Sequence, residues 1–280
     1  MTSPISVRRI SFDESLRALP ARFAGDGDLV MSHVLAALSG LFPDGEDYFV
    51  RSVRRVRDHV EEPVLRRQVA GFIGQEAVHG REHRALNGRL AELGYPTRSI
   101  ERRVRAVLGF RDRHLSAHAN LAATAALEHY TATLAETLLS DPEARRLVGS
   151  HAVLDVLLWH ALEESEHKAV AFDVYRAVGG SERTRRLVMH LTTVTFLLGL
   201  TIDVARSLWG ARATYERGEL IDSLRRLRGN PFASRAVRGR LRDYVRPDFH
   251  PDDHDATELL DAWRDRLFGA DGTLNDRLVA

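Results

Sequence analysis

The 280-residue chain contains no cysteine, and Lys168 is its only lysine. Without thiols the protein can form no disulfide, thiolate zinc site or cysteine nucleophile, so any metal must be held by histidine and carboxylate side chains. Arginine supplies nearly all of the positive charge, and the formal net charge is only +1. The composition therefore makes no case for nucleic acid as a partner.

Signals for strands, secretion and a membrane span are also weak or missing. No convincing alternating strand occurs, and the N-terminal residues lack the apolar segment of a signal peptide. The most apolar stretch, residues 187–209, is long enough to span a bilayer but contains His190, Asp203 and Arg206. We therefore predict a buried helix in a cytoplasmic protein without a stable membrane span.

The hydrophobic pattern is helical almost throughout and predicts an all-α fold. Pro43 is expected to break the first long helical stretch, and residues 229–256 to form a loop with short helices. We expect an N-terminal segment (1–27), a metal-binding helical bundle (28–210) and a C-terminal helical extension of the same domain (211–280). The predicted helices cover residues 28–41, 44–60, 63–93, 112–139, 143–178 and 256–268.

Two predicted helices carry acidic and imidazole side chains on a stripe that is otherwise apolar. In one, Glu76 and His79 lie where leucine or alanine is expected; in another, Glu164 and His167 repeat the Glu-x-x-His spacing. Each pair follows a helix whose apolar stripe carries one glutamate. The predicted metal ligands are Glu46, Glu76, His79, Glu128, His160, Glu164 and His167, with His83 as a candidate additional ligand.

Four isolated carboxylates in one core require compensation. Burying one unpaired carboxylate costs several kcal/mol, and four would exceed the roughly 5–15 kcal/mol of net stability of a domain. Two divalent cations would balance the charge, and histidine and glutamate ligands suit iron or manganese. Thr124 and Thr131 lie one turn on either side of Glu128 and are candidates for lining a pocket, although such threonines commonly bond a backbone carbonyl.

Four segments carry a resemblance to a known family: FPDGEDYF (42–49), QEAVH (75–79), ALEHYT (126–131) and WHALEESEHK (159–168). They resemble the bacterial family of predicted metal-dependent hydrolases over roughly residues 40–210. The resemblance implies a ferritin-like four-helix bundle, here with extra C-terminal helices. The spacing of His160, Glu164 and His167 also resembles the di-iron p-aminobenzoate N-oxygenases, which add a third histidine to four glutamates and two histidines.

The leading hypothesis is a dinuclear non-haem iron (or Fe/Mn) enzyme that activates dioxygen to oxidise a small, apolar or aromatic substrate. The first alternative is a metal-dependent hydrolase that uses a metal-bound hydroxide, with zinc as cofactor. A second is a non-enzymatic, iron-binding ferritin-like protein. The expected partners are a small-molecule substrate and, for oxygen chemistry, an electron donor. A homodimer is compatible with this class.

A competing motif overlaps the predicted ligands. His79, Glu82 and His83 match the zinc-peptidase pattern H-x-x-E-H, in which Glu82 would be the general base. This interpretation leaves Glu46 and Glu128 without a role, so we expect Glu82 to be dispensable. Glu163 lies about 100° from its neighbour Glu164 around the helix, and we expect a supporting or salt-bridged role for it.

Overall fold

The structure is a computed structural model that describes residues 5–279. It is all-α, as predicted. Over those residues no strand forms, and one isolated antiparallel bridge joins Ile10 to Leu278. The helices are α1 (Asp13–Leu16), α2 (Leu29–Arg54), α3 (Pro63–Glu92), α4 (Thr97–His114), α5 (Ala117–Ser140), α6 (Pro142–Val148), α7 (His151–His167), α8 (Val170–Ala177), α9 (Glu182–Gly210), α10 (Arg217–Arg226), α11 (Arg235–Asp243) and α12 (Thr257–Phe268).

Helix α2 continues through Pro43, so the predicted break at this residue is wrong. Proline has no N–H to donate to the carbonyl four residues earlier, which belongs to Ser39. The side-chain amide of Asn87 on α3 donates to that carbonyl instead, at 3.1 Å. The neighbouring helix thus satisfies the group that the proline leaves free.

The stretch 143–178, predicted as one helix, is divided into α6, α7 and α8. Gly149 separates α6 from α7 with a φ of 77°, a conformation that favours glycine. A Cβ there would lie 2.3 Å from the backbone nitrogen of Gly25. Helix α4 was not predicted as a separate element. Helix α5, predicted to begin at residue 112, begins only after Ser116, whose hydroxyl accepts from the backbone N–H of Ala119.

Four helices surround the predicted ligand positions. Helix α2 packs along α3, α5 packs along α7, and contacts of α3 with α7 and of α2 with α5 complete the group. Along α3, Phe72 belongs to one buried apolar cluster and Leu86 to another. The polar segment between them is therefore enclosed by apolar packing at both ends.

Helix α9 is mostly exposed, so the prediction of a buried helix is wrong. It is long and apolar enough to cross a membrane by length and composition, but only 22% of its most apolar window is buried. Its inward side chains are largely polar: Asp203 pairs with Arg103 of α4, and Ser207 Oγ lies 2.6 Å from His33 Nδ1 of α2. The apolar pattern alone could not tell which face is turned outward.

The C-terminal helices pack on the helices already described. Helix α10 contacts α2, α11 contacts α5, and α12 contacts both α5 and α7. Lys168, at the junction of α7 and α8, is buried: its ammonium pairs with Glu136 at 3.0 Å and donates to the carbonyl of His254 at 2.6 Å. This contact ties the C-terminal part of the chain to α5.

Candidate metal centre

One half of the buried polar cluster surrounds the ring of His167 at the end of α7. Its Nε2 lies 3.1 Å from Glu76 Oε1 of α3, 3.3 Å from Glu128 Oε2 of α5 and 3.7 Å from Glu164 Oε1. Ligands about 2.1 Å from one metal ion lie roughly 3–3.5 Å apart. These atoms could therefore hold one divalent cation.

The other half contains two histidines. His79 Nδ1 lies 3.6 Å from Glu76 Oε1 and 3.5 Å from Glu164 Oε1. His160 Nε2 lies 2.9 Å from Glu164 Oε1 and 3.7 Å from Glu46 Oε1. Glu76 and Glu164 contact histidines of both halves, so these two carboxylates lie in the middle of the cluster.

Hydrogen bonds on the outer side fix the tautomers of His79 and His167. His79 Nε2 lies 3.0 Å from Glu163, a carboxylate that Arg8 contacts at 2.9 Å. His167 Nδ1 lies 2.8 Å from Gln75 Oε1. Both acceptors require a proton on the outer nitrogen, so each neutral ring turns an unprotonated nitrogen towards the buried carboxylates. Metal-ligating histidines are commonly oriented in this way.

A longer chain of hydrogen bonds fixes His160. The amide nitrogen of Asn87 donates to Glu101 at 2.7 Å, so its oxygen accepts from the Ser39 hydroxyl, also at 2.7 Å. Ser39 then accepts from His83 Nδ1 at 3.2 Å, and His83 Nε2 accepts from His160 Nδ1 at 2.9 Å. The lone pair of His160 Nε2 is therefore directed into the cluster.

Within residues 5–279, many of these inward-facing atoms have no hydrogen-bond partner, although the groups lie close together. Buried polar atoms are almost always hydrogen-bonded, and an uncompensated buried carboxylate is costly. Lone pairs that face one another are stabilised by a cation between them, so the residues fit a metal centre. The unpartnered atoms are both carboxylate oxygens of Glu46, Glu76 and Glu128, Oε2 of Glu164, Nδ1 of His79 and Nε2 of His167.

The pKa values of the four carboxylates shift in two directions: burial and mutual repulsion raise two of them, and contacts with histidines lower the other two. Burial and the charge of Glu76 raise the pKa of Glu46 well above its usual value. Burial, together with Glu164 and Glu76, raises the pKa of Glu128 to about 8. Burial acts on Glu76 and Glu164 in the same direction, but contacts with the histidines outweigh it and lower their pKa values.

The pKa values of the four histidines also shift in two directions. Burial acts to lower the pKa of His79 and His167, but adjacent carboxylates outweigh it and raise both values well above normal. Burial and neighbouring histidines lower the pKa values of His83 and His160. Without metal, protons on His79, His167, Glu46 and Glu128 would replace the charge of the cations.

The sequence matches the family described as "Predicted metal-dependent hydrolase" over residues 6–255. The chain belongs to this family. The match confirms the resemblance seen in the sequence and extends it towards both ends of the chain. Searches of curated proteins and of solved structures found no match.

In this member of the metal-dependent hydrolase family, Glu82 is turned away from the cluster. Its carboxylate accepts from the backbone N–H of Phe12 at 3.0 Å and from Arg81 Nε at 2.8 Å. The contact with Phe12 holds the N-terminal segment against α3. The H-x-x-E-H interpretation needs Glu82 beside the metal, and this geometry does not support it.

His83 lies behind His160, with both of its ring nitrogens engaged by Ser39 and His160. The residue is buried, and its ring lies close enough to Glu46 and His160 for the three side chains to hold a metal ion together. Its hydrogen bonds make it a support for His160, because neither ring nitrogen is left free for a metal ion.

An apolar cavity of about 960 Å³ reaches the cluster, and His160 and Glu164 form part of its wall. The remaining wall comes mainly from apolar side chains of α2, α4, α5 and α9. Thr131 lines the cavity, and its hydroxyl donates to the carbonyl of Glu128. Thr124 is fully buried, with its hydroxyl 2.6 Å from that of Ser52, and takes part in the packing of α5 on α2.

Two residues that orient histidines of the candidate metal centre, Gln75 and Arg8, were not predicted from the sequence. Gln75 is buried beside Glu76. A polar residue among the apolar positions of α3 could have indicated its role. Arg8 contacts both Glu163 and Glu166 at 2.8–2.9 Å, and Glu166 accepts from Gln75 at 3.1 Å. Arg8 lies in a non-helical segment, where no periodicity points to its role.

Proposed function

We propose that the protein is a hydrolase whose active centre holds two divalent cations between α2, α3, α5 and α7. The observation that carries this proposal is the set of buried carboxylate and imidazole atoms that converge without hydrogen-bond partners. Two divalent cations neutralise four carboxylates. The family description supports metal-dependent hydrolysis as the reaction.

The contacts suggest a role for each ligand. Glu76 and Glu164 would bridge the two cations, since each lies near histidines of both halves. In one half of the cluster, Glu46 and the nitrogens of His79 and His160 would bind one cation. In the other half, Glu128 and His167 would bind the second cation.

We further propose that the helices around the site form a ferritin-like four-helix bundle. Helices α2 and α5 each supply one glutamate, and α3 and α7 each supply Glu-x-x-His. Ferritin-like dinuclear carboxylate proteins distribute their ligands over four helices in the same manner. On this proposal residues 28–210 form the bundle and residues 211–280 extend the same domain.

When bound, the cations would polarise the scissile bond and lower the pKa of a coordinated water molecule. The chain itself supplies orientation and exclusion of bulk water. His79 and His167 are held by Glu163 and Gln75, and the apolar cavity leads to His160. The cavity volume lies near the upper end of the usual 300–1,000 Å³ range for ligand sites. An apolar or aromatic small molecule therefore suits it as substrate.

A second candidate function is dioxygen activation at two iron ions, or at iron and manganese. The observation that favours it is the combination of carboxylates and three imidazoles with apolar cavity walls. Such ligands suit iron and manganese, and apolar walls protect reactive species from water. This chemistry would also need an electron donor.

The experiment that separates the two functions uses one metal-free preparation, reloaded with zinc, manganese or, anaerobically, ferrous iron. We expect hydrolysis of chromogenic esters with apolar acyl groups, at a rate independent of oxygen. Oxygen consumption by the iron form, with a new absorption band and no ester hydrolysis, would instead support oxygen chemistry. Tight metal binding with neither activity would contradict both.

Two glutamine variants test the site itself. Glu164→Gln should reduce the metal content from two ions per chain to fewer than one and abolish activity, because a bridging carboxylate serves both ions. Glu82→Gln is the matched control, since Glu82 is equally buried on an adjacent helix but faces the N-terminal segment. Loss of activity in Glu82→Gln with full metal content would favour the zinc-peptidase interpretation.

A further inference from the structure

The outward face of α9 is largely apolar, although His190, Thr195 and Thr201 are exposed among its apolar side chains. Its most exposed apolar side chains, each 54–71% exposed, are Leu187, Leu191, Val194, Leu198 and Trp209. The first four recur every three or four residues, and Trp209 follows about three helical turns later. No Asp, Glu, Lys or Arg occurs between Leu187 and Ile202. At 1.5 Å per residue, the stripe from 187 to 209 is roughly 33 Å long.

Helix α4 extends this surface sideways. Ile100 and Val104 pack against Leu200 and Val204 of α9, so the two helices meet at these residues. The exposed residues that α4 contributes, Val107 and Phe110, are 51% and 57% exposed and also line the cavity. Leu197 of α9 shares both properties. The apolar surface is therefore continuous with the mouth of the cavity.

The exposed area is too large for an ordinary monomer surface. Nine large apolar side chains of α4 and α9, each at least 40% exposed, together present on the order of 1,000 Å², whereas the largest patch of a typical monomer has roughly 300–600 Å². They are Val107, Phe110, Leu187, Leu191, Val194, Leu197, Leu198, Ile202 and Trp209. A surface of this size is expected to be covered in solution.

The charge around the apolar surface is positive. Helix α4 carries six arginines against two acidic residues. Arg103 and Arg105 pair with Asp203 and Asp44, which leaves four arginines of this helix outside these two pairs, although the whole chain has a net charge of only +1. Arg183 and Arg206 are exposed near the two ends of the α9 stripe. Nearby acidic groups are already neutralised: Asp203 pairs with Arg103, and Glu182 pairs with Arg185.

We infer that the α4–α9 surface docks on an anionic phospholipid bilayer, with α9 lying along the interface. An apolar helix face bordered by arginines is the arrangement of helices that lie in the headgroup region. A twofold pairing of two chains through this face would bring two basic rims together, which is unfavourable. Anionic headgroups complement the same rim.

Helix α9 docks along the surface rather than crossing the bilayer because its inner face is tied to the protein. Arg185 is fully buried and donates to the backbone carbonyls of Tyr244 and Arg246. Asp203 and Ser207 bond to α4 and α2. Crossing the bilayer would break these contacts and leave buried charges unpaired. Docking also places the cavity mouth at an apolar phase, from which an apolar substrate can enter.

The test is flotation of the full chain with vesicles of phosphatidylcholine, with and without phosphatidylglycerol. We expect binding to the anionic vesicles that weakens with added salt. Val194→Ser/Leu198→Ser should weaken binding on the order of a hundredfold, because burial of each of the two apolar side chains contributes on the order of a factor of ten. Val64→Ser/Leu278→Ser, at exposed positions outside this surface, is the matched control and should bind as the wild type does.

Two further measurements complete the test. Arg102→Glu/Arg113→Glu should weaken binding to anionic vesicles and leave any binding to neutral vesicles unchanged. Failure of the wild type to float with anionic vesicles would overturn the inference. So would a stable dimer, measured by light scattering, that Val194→Ser/Leu198→Ser dissociates, since a second copy would then cover the surface. Resistance of bound protein to alkaline carbonate extraction would show insertion and contradict docking.

Discussion

The charges of the buried cluster balance in two different ways. With two divalent cations, four positive charges oppose the carboxylates Glu46, Glu76, Glu128 and Glu164. Without metal, four groups of raised pKa hold protons: His79, His167, Glu46 and Glu128. Two imidazolium groups then oppose two carboxylates. In the proposed centre, metal binding would thus exchange protons for cations at constant charge.

This exchange predicts that metal binding releases protons. Near neutral pH we expect about four protons per pair of divalent cations, one from each group of raised pKa. The measurement is titration of weakly buffered, metal-free protein with zinc in the presence of a pH indicator. Glu164→Gln provides the control, because it should bind less metal and release correspondingly fewer protons. Full metal uptake without proton release would contradict the charge balance.

His160 is the proposed ligand whose inward-facing nitrogen is oriented by the hydrogen-bonded chain from Asn87. His160→Ala should keep the fold and at least one metal ion, but change the absorption spectrum of a cobalt-substituted site, because one ion loses a nitrogen ligand. His83→Ala leaves His160 in place and removes only its partner, so the metal content should stay unchanged, with affinity reduced about 10-fold or more. Loss of a metal ion in His83→Ala but not in His160→Ala would reverse this assignment.

At the scale of elements, the N-terminal segment from residue 5 to residue 12 lies as a strap behind the histidines of the proposed metal centre. Arg8 contacts Glu163, which bonds His79, and Glu166, which bonds Gln75 and through it His167. One guanidinium outside the four helices therefore orients ligands on both α3 and α7. Its burial and two carboxylate partners also make it costly to remove.

We predict that Arg8→Ala lowers metal affinity about 10–100-fold, because partners behind a ligand commonly have an effect of this size. The neighbouring Arg9 is exposed, so Arg9→Ala is the matched control and should bind metal as the wild type does. Competition with a chromogenic chelator measures both. Equal affinity of the two variants would show that the strap does not orient the ligands.

The sequence was informative where a signal is local and periodic. Glu76 and Glu164 could be predicted because a carboxylate on an apolar helical stripe is recognisable from spacing alone. The continuation of α2 through Pro43 could not, because it depends on an amide from α3 that compensates the missing N–H. The exposure of α9 was hidden for the same reason: its outward face is defined by the tertiary contacts of Asp203 and Ser207.

For the whole molecule, the proposed metal centre would make stability depend on pH and on metal. A group whose pKa is raised by folding stabilises the protein below its unfolded pKa, and this contribution is lost as the pH rises through the folded value. For Glu128 this loss extends from its unfolded value of 4.5 to about 8. The pKa values of His83 and His160 are lowered by folding, so these residues reduce the stability of the folded protein mainly as the pH falls below their usual value of 6.5.

The metal-free protein should therefore lose stability between about pH 6.5, the usual value of the histidines, and about pH 8, the folded value of Glu128. The loss is up to about 1.4 kcal/mol per pH unit for each group that is protonated in the folded but not in the unfolded protein. The metal-loaded protein lacks this dependence, since cations replace the protons. Thermal unfolding of both forms over this range is the measurement. A constant difference in melting temperature between the two forms would contradict the prediction.

The burial of Lys168 has a practical consequence for labelling. Because it is the only lysine and its ammonium is bound between Glu136 and the His254 carbonyl, amine-directed reagents meet no accessible lysine side chain on the folded protein. The chain also contains no thiol. One cysteine placed at Val194 would then carry a polarity-sensitive fluorophore as the sole side-chain label, without removal of any native reactive group.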